Sequence, residues 1–346
     1  MVISGSDFIS FLHSVQSEKP IGYQKVIVVT EKESAGVTTR NLSVLKDDSK
    51  VVLDSFHSIE PVKILYYLPR QKVYPSGKLN EKLLLVGVKA CDLKALQILD
   101  KALINKDFID PDYKQWRENI TIITSDCTEI GEFCHCNLKN GKPYSESGFD
   151  LNLSPINGSY LIATGSEKGE ALLELMKKHI HLTNHTDDDL SKIKTQRNRI
   201  ETKLIEHNKK FEFNNNYINL KKNPINSWKD DSKECVGCGG CTNICPSCYC
   251  LILNDDSKLE QFVKVRSYDS CQLNGYARVA GGATPRPKMY ERFRHRYLCK
   301  HIYFQSNFDE SGCTGCGRCS EVCPAKIDFR ETVYNQIQPQ EELTEK

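Results

Sequence analysis

Short uninterrupted apolar runs recur along the first two-thirds of the chain, at Val26–Thr30, Ile64–Leu68, Leu83–Val88, Ile120–Thr124 and Tyr160–Thr164. Runs of this length bounded by turn residues read as buried strands. Pro69 closes the second of them. Between them the apolar period lengthens to that of a helix at Leu93–Leu103, with Asp92 in the N-cap position, and at Ala171–His179, after the loop Gly165–Gly169. Asp187–Lys210 is a long polar helix whose stripe of Leu190, Ile193, Ile200 and Ile205 packs one face on the body. Strands alternating with helices predict an α/β domain over residues 1–225. The turn-rich stretches Asn214–Asn216 and Lys221–Pro224 mark its end. From 226 to 335 the strand pattern shrinks to Leu251–Leu253 and Phe262–Val265, which predicts a mainly α, loop-rich domain. Residues 336–346 are rich in Gln and Glu and read as a disordered tail.

Composition changes this picture in one respect. The chain has 346 residues, enough for two cores, and its net charge of +2 gives no global attraction to nucleic acid or an anionic membrane. No apolar stretch approaches the ~18 residues of a membrane span, and Met1–Gln16 lacks the basic start of a signal peptide. A cytoplasmic location is expected. Sixteen cysteines are far too many for an ordinary chain of this kind, and twelve of them follow Glu234. In a reducing compartment thiols grouped this tightly are metal ligands rather than disulfides.

Two of the groups repeat each other. Cys235-Val-Gly-Cys238-Gly-Gly-Cys241-Thr-Asn-Ile-Cys245-Pro246 and Cys313-Thr-Gly-Cys316-Gly-Arg-Cys319-Ser-Glu-Val-Cys323-Pro324 both match the ferredoxin run C-x2-C-x2-C-x3-C-P. Three thiolates spaced by two residues wrap one corner of a cubane, and the glycines let backbone N–H groups approach sulfur. The fourth cysteine opens a turn that points away and serves the other cluster. The expected ligands are therefore Cys235, Cys238, Cys241 and Cys323 for one [4Fe–4S] cluster, and Cys313, Cys316, Cys319 and Cys245 for a second. Zinc ribbons use paired thiolates, and a repeated triple run ending in Cys-Pro is not their pattern. Together these make the second part a dicluster, ferredoxin-like domain.

The second half of the insert between the runs carries Arg278, Arg286, Lys288, Arg292, Arg294, Arg296 and Lys300, with Glu291 the only acid among them. Such cations form a solvated face, bind nucleic acid, or offset the negative charge of a cubane; the third role suits some of them and the second is the least favoured. A third site is a candidate in the first part. Cys91 follows the run Leu83–Val88 and Cys127 follows Ile120–Thr124, so parallel strands there would place both at one carboxyl edge, where α/β folds hold ligands. Cys134 and Cys136 follow in a loop able to fold over that edge, for a third cluster, a zinc ion, or plain unligated thiols. His135 between them could ligate metal but reads rather as a surface or structural histidine. Cys248, Cys250, Cys271 and Cys299 fall under no spacing rule, which makes a further site among them the weaker candidate. No Gly-x-Gly-x-x-Gly or Walker loop is present, so the sequence does not support a bound nucleotide.

Beyond the cysteine runs, Gly87-Val-Lys-Ala-Cys91-Asp92-Leu93, Cys134-His-Cys136, Gly148-Phe-Asp150-Leu151, Cys245-Pro-Ser-Cys248-Tyr-Cys250, Asp269-Ser-Cys271 and the basic stretch ending Lys300-His301 carry a resemblance. From about Leu83 to Phe329 the chain resembles the iron–sulfur beta subunits of cytoplasmic sulfhydrogenases, the NAD(P)-linked nickel–iron hydrogenases, which are similar to an iron–sulfur component of anaerobic sulfite reductase. It departs from the family at Lys89-Ala90, where Arg-Pro is common, at His135 for Phe, and at Tyr268 for Trp. The resemblance implies a relay of electrons between a flavin-containing subunit that handles NAD(P)H and a catalytic subunit reducing protons, sulfur or sulfite. The chain alone is then not expected to turn over substrate. A self-contained iron–sulfur enzyme and a nucleic-acid-binding regulator are the alternatives from other classes.

Overall fold

In the computed structural model, residues 1–18, 22–77, 81–105, 108–211, 217–257 and 260–338 are described. The first part is built on a seven-stranded sheet in the order β1-β8-β7-β6-β5-β2-β3. Its strands are β1 (Val2–Ser4), β2 (Tyr23–Ser34), β3 (Val37–Val44), β5 (Lys82–Val88), β6 (Ile120–Ser125), β7 (Leu151–Ile156) and β8 (Ser159–Thr164). β2, β5, β6 and β7 run parallel, and antiparallel strands close both edges. The central strands are buried on both faces, which explains their unbroken apolar runs. Successive residues feed opposite layers. Val26, Val28, Leu84 and Val86 pack against Phe8, Phe11 and Leu12 of α1 (Gly5–Glu18) and Leu172 and Met176 of α4 (Glu167–His179). Ile27, Leu83, Leu85 and Ile122 pack against Leu93, Leu96 and Leu99 of α2 (Ala90–Leu103) and Tyr113 of α3 (Pro111–Asn119). α5 (Asp187–Asn208) opens on a capping box between Thr186 and Asp189 and buries Ile193, Ile200 and Leu204.

Several expectations are corrected. Ile64–Leu68 is not a strand: Val62–Leu65 forms a 3-10 turn, and Tyr66 and Tyr67 bury their rings in the α2 layer. α2 begins at Ala90 after Lys89, and Asp92 is no N-cap but a buried partner of Arg318. β3 and β7 each form a hairpin that the apolar runs did not show. Asn157 and Gly158 turn β7 into β8 with φ of 48° and 80°, the left-handed pair of a tight hairpin. Gln336 and Ile337 form the last turn of α12 (Phe329–Ile337) and are buried, so the helix runs into the stretch read as tail; 339–346 lie outside the described residues, as does Asn214–Asn216.

The second part adds short elements: α6 (Asn219–Lys222), α7 (Trp228–Ser232), α8 (Gly240–Asn243), α9 (Met289–Leu298), α10 (Phe304–Phe308), α11 (Arg318–Glu321) and α12. Its small core joins Leu220, Trp228, Phe293, Tyr297, Phe329, Val333 and Ile337. The two parts interlock. β4 (Arg70–Tyr74) pairs with β10 (Lys264–Tyr268), which pairs in turn with β9 (Leu251–Asp255), so one three-stranded sheet draws on both. Among the described residues no helix is long and apolar enough to cross a membrane.

Candidate metal centre

The duplicated sequence folds as a duplicated structure. Gly237 and Gly239 have φ of 66° and 75°, and Gly315 and Gly317 have φ of 70° and 84°. Each run thus alternates left-handed glycines with cysteines, which turns three thiols to one side. Thr242 N–H donates to the Gly239 carbonyl at 3.1 Å, and Ser320 N–H donates to Gly317 at 2.9 Å. The short helices α8 and α11 that follow then carry Cys245 and Cys323 away from their own runs. Cys323 comes within charge–charge reach of Cys235 and Cys241, and Cys245 within reach of Cys316 and Cys319. Burial pushes the Cys241 and Cys319 thiols up, the latter to about 12. Isolated, such thiols stay protonated, and metal must displace the proton.

Buried cations stand among them. Burial alone would lower Arg296, but Cys241 and Cys319 hold it well above its ordinary value. Burial likewise opposes the charge of Lys300, which Cys245, Cys248, Cys299 and Cys313 sustain; its Nζ donates to Ser247 Oγ at 2.8 Å. Lys63, also buried, donates to the Cys248 carbonyl at 2.9 Å. Of the basic insert, then, Arg296 and Lys300 face thiols, whereas Arg278 and Lys288 are exposed to solvent. Arg292 spends its guanidinium on the carbonyls of Gln272, Arg286 and Pro287.

In the first part, β5 and β6 are parallel, with Val88 opposite Thr124, so Cys91 and Cys127 leave one carboxyl edge. Cys134 and Cys136 join them: all four line one small cavity with His57 and Cys316. Burial pushes each of these thiols up, Cys134 to about 12, and the Cys127 charge adds to it at Cys91, Cys134 and Cys136. Gly131 N–H donates to Cys134 Sγ at 3.2 Å. Lys89 is buried beside Cys127, its Nζ donating to Leu53 O at 2.7 Å and Ser125 Oγ at 2.9 Å.

This group is built onto the second run. His135 N–H donates to the Gly315 carbonyl at 2.7 Å, and His57 Nε2 lies 2.6 Å from the Cys316 carbonyl. A Cβ at Gly315 would lie 2.4 Å from the His135 carbonyl, and one at Gly317 2.5 Å from Phe133. Only glycine permits that approach, whatever the φ. His135 donates from Nδ1 to Phe133 O at 2.8 Å, and burial pulls it down to about 3, so a neutral ring faces Cys313 Sγ at 3.8 Å.

Among the described residues no three His, Cys, Asp or Glu side chains converge as a single ion requires. A cubane holds its thiolates at the corners of a much wider tetrahedron than a lone zinc does. The residues fit such a group. Left-handed glycines give sulfur room, buried cations sit beside thiols, and polar atoms next to the second run lack partners. Among the described residues the Thr314 hydroxyl and both ring nitrogens of His301 are buried without one. Sequence reasoning missed His57 and Lys63 altogether; a lysine inside Val62-Lys63-Ile64 was the only local sign.

Two interlocked C-x2-C-x2-C-x3-C-P runs on this scaffold define an iron–sulfur protein of the dicluster class, and residues 234–327 match the family described as 4Fe-4S dicluster domain. The chain belongs to the family of sulfhydrogenase beta subunits. It is 33% identical over 289 residues to the Sulfhydrogenase 2 subunit beta of Pyrococcus furiosus, across 80% of this chain and 82% of that one. It is also 24% identical over 163 residues to the F420-dependent formate dehydrogenase subunit beta of Methanocaldococcus jannaschii, across 47% of this chain and 34% of that one. No solved structure matches the chain.

Proposed function

We propose that the chain is the electron-carrying iron–sulfur subunit of an oxidoreductase complex. It would stand between a flavin-containing subunit that handles NAD(P)H and a catalytic subunit of hydrogenase or sulfur-reducing type. Bound [4Fe–4S] clusters supply one-electron carriers. Cys235, Cys238, Cys241 and Cys323 would hold one, Cys313, Cys316, Cys319 and Cys245 the second, and Cys91, Cys127, Cys134 and Cys136 a third. What supports this reading is that Cys245 comes within charge–charge reach of Cys316 and Cys319, and Cys323 within reach of Cys235 and Cys241, with Cys245 also reaching Cys241 of its own run. Arg296 lies within reach of Cys241, Cys319 and Cys245, so one guanidinium offsets charge on both groups. A cleft of about 740 Å³ is lined by Cys91, Cys136, Cys313 and His301, and gives a partner access to both parts.

Cys245→Ser should lower the iron held by Cys313, Cys316 and Cys319 while sparing the centre of its own run. Electron paramagnetic resonance of the reduced, anaerobically purified chain reads this out, and loss confined to the first run's centre would overturn the exchange of fourth cysteines. Anaerobic affinity purification of the tagged chain from its native cells tests the relay, and a flavoprotein and a hydrogenase- or reductase-type subunit should come with it. Steady reduction of sulfur or sulfite by the isolated chain with NAD(P)H would refute a purely relaying role.

A further inference from the structure

Cys248, Cys250, Cys271 and Cys299 share no spacing rule, yet the fold gathers them. Leu251 and Tyr268 face each other at one end of the β9–β10 ladder, and Asp269 N–H donates to the Cys250 carbonyl at 3.0 Å. Cys250 and Cys271 therefore leave the same end of one sheet. Tyr276 turns back over that end, with its hydroxyl 3.8 Å from Cys250 Sγ and its ring 6.1 Å from His295 of α9, one turn before Cys299. Gln272 fastens the loop to the same helix: its Nε2 donates to the Arg292 carbonyl at 2.9 Å and lies 3.4 Å from Cys271 Sγ. α9 does not continue as an α-helix. Cys299 opens a π turn, Cys299–Tyr303, a wide turn frequent at functional sites.

Three of the thiols, Cys250, Cys271 and Cys299, are within charge–charge reach of one another. Cys271 feels Cys250 and Cys299, Cys299 feels Cys250, and Tyr276 feels all three. Cys248 stands two positions before Cys250, and its closest charged neighbours are Cys245, Lys300 and Lys63, of which Lys300 and Cys245 also face Cys299. Only Cys271 of the four is buried, and the others are half-exposed beside Lys300, Arg286 and Tyr276, which is not the apolar setting of core cysteine. Cys248 N–H donates to the Cys245 carbonyl at 3.3 Å, and Cys245 lies within charge–charge reach of Cys299, which sets this group beside the last cysteine of the first run.

We propose that Cys248, Cys250, Cys271 and Cys299 ligate a further [4Fe–4S] cluster. The inference rests on reading the chain as an iron–sulfur protein, and it adds a centre that neither the two runs nor the N-terminal four thiols account for. Four soft thiolates suit iron–sulfur or zinc, and a cubane would leave a net negative charge that Lys300 and Arg286 are placed to offset.

The test uses the full chain, purified anaerobically, with iron, acid-labile sulfide and zinc counted per chain. A Cys250→Ser, Cys271→Ser variant should lose about four irons and four sulfides relative to the parent. An unchanged iron count, or about one zinc lost in place of the iron, overturns the proposal. If that variant loses all its iron, a count in a Cys91→Ala, Cys127→Ala background decides without disturbing this group. About twelve irons there support the further cluster, and about eight, the content of the two runs alone, overturn it. Failure of the relay reading would appear elsewhere, in the co-purifying subunits.

Discussion

Arg318→Ala should destabilise the loaded protein by about 3–5 kcal/mol. The guanidinium and the Asp92 carboxylate are both buried and meet in two bonds, of 2.8 Å and 2.7 Å, while Nε donates to the Ser58 carbonyl at 2.9 Å. Truncating the arginine strands a carboxylate that is only 1% exposed. Lysine should rescue only part of the loss, because a single ammonium cannot reproduce the two-pronged contact. Asp92→Leu combined with Arg318→Met should recover much of it, since removing both charges leaves none unpaired. Denaturant unfolding under anaerobic conditions measures all three. A single variant that loses less than about 1 kcal/mol would show that water enters this pair, contrary to its burial.

Cys91→Ala with Cys127→Ala should remove about four irons and four sulfides per chain. The expectation rests on two parallel strands delivering these cysteines to one sheet edge, and on Cys134 and Cys136 lining the same cavity. The Cys134 thiol already accepts a backbone N–H bond from Gly131, as ligand sulfurs do. A drop of about four makes the α/β part a member of the electron path, because His57 and His135 tie this group to the second run. An unchanged count would leave that part as a docking surface and confine transfer to the remaining centres.

What could be read in advance follows from range along the chain. The parallel strands were legible because burial on both faces leaves unbroken apolar runs, and the paired runs because cubane ligation demands local spacing. The shared carboxyl edge of Cys91 and Cys127 followed from strand direction alone. Asp92 misled because an acid ahead of a helical pattern has the form of a cap, while its partner Arg318 lies 226 positions away. β7 was overlooked although Asn157-Gly158 signals a hairpin, since Pro155 and polar residues interrupt its apolar pattern. The stretch Ile64–Leu68 has the composition of a strand, but its two tyrosines are needed by the helix layer. Lys63 shows locally only as a charge inside an apolar stretch, because the thiols that make it tolerable arrive from another part of the chain. Lys300, by contrast, stands in a basic stretch that the sequence already reads as partly facing a cluster.

The seam between the Cys134–Cys136 loop and Gly315–Gly317 has a consequence for biogenesis. His57 meets Cys316 across 259 positions, so a ribosome adding about 5–20 residues per second needs roughly 10–50 s to supply the second half of the seam. During that interval the N-terminal thiols emerge without the backbone that will cover them, open to oxidants and to opportunistic metals. A chaperone or scaffold that shields nascent thiols, or strictly anoxic synthesis, would raise the yield of intact protein, and recombinant production in air should fail first at this seam.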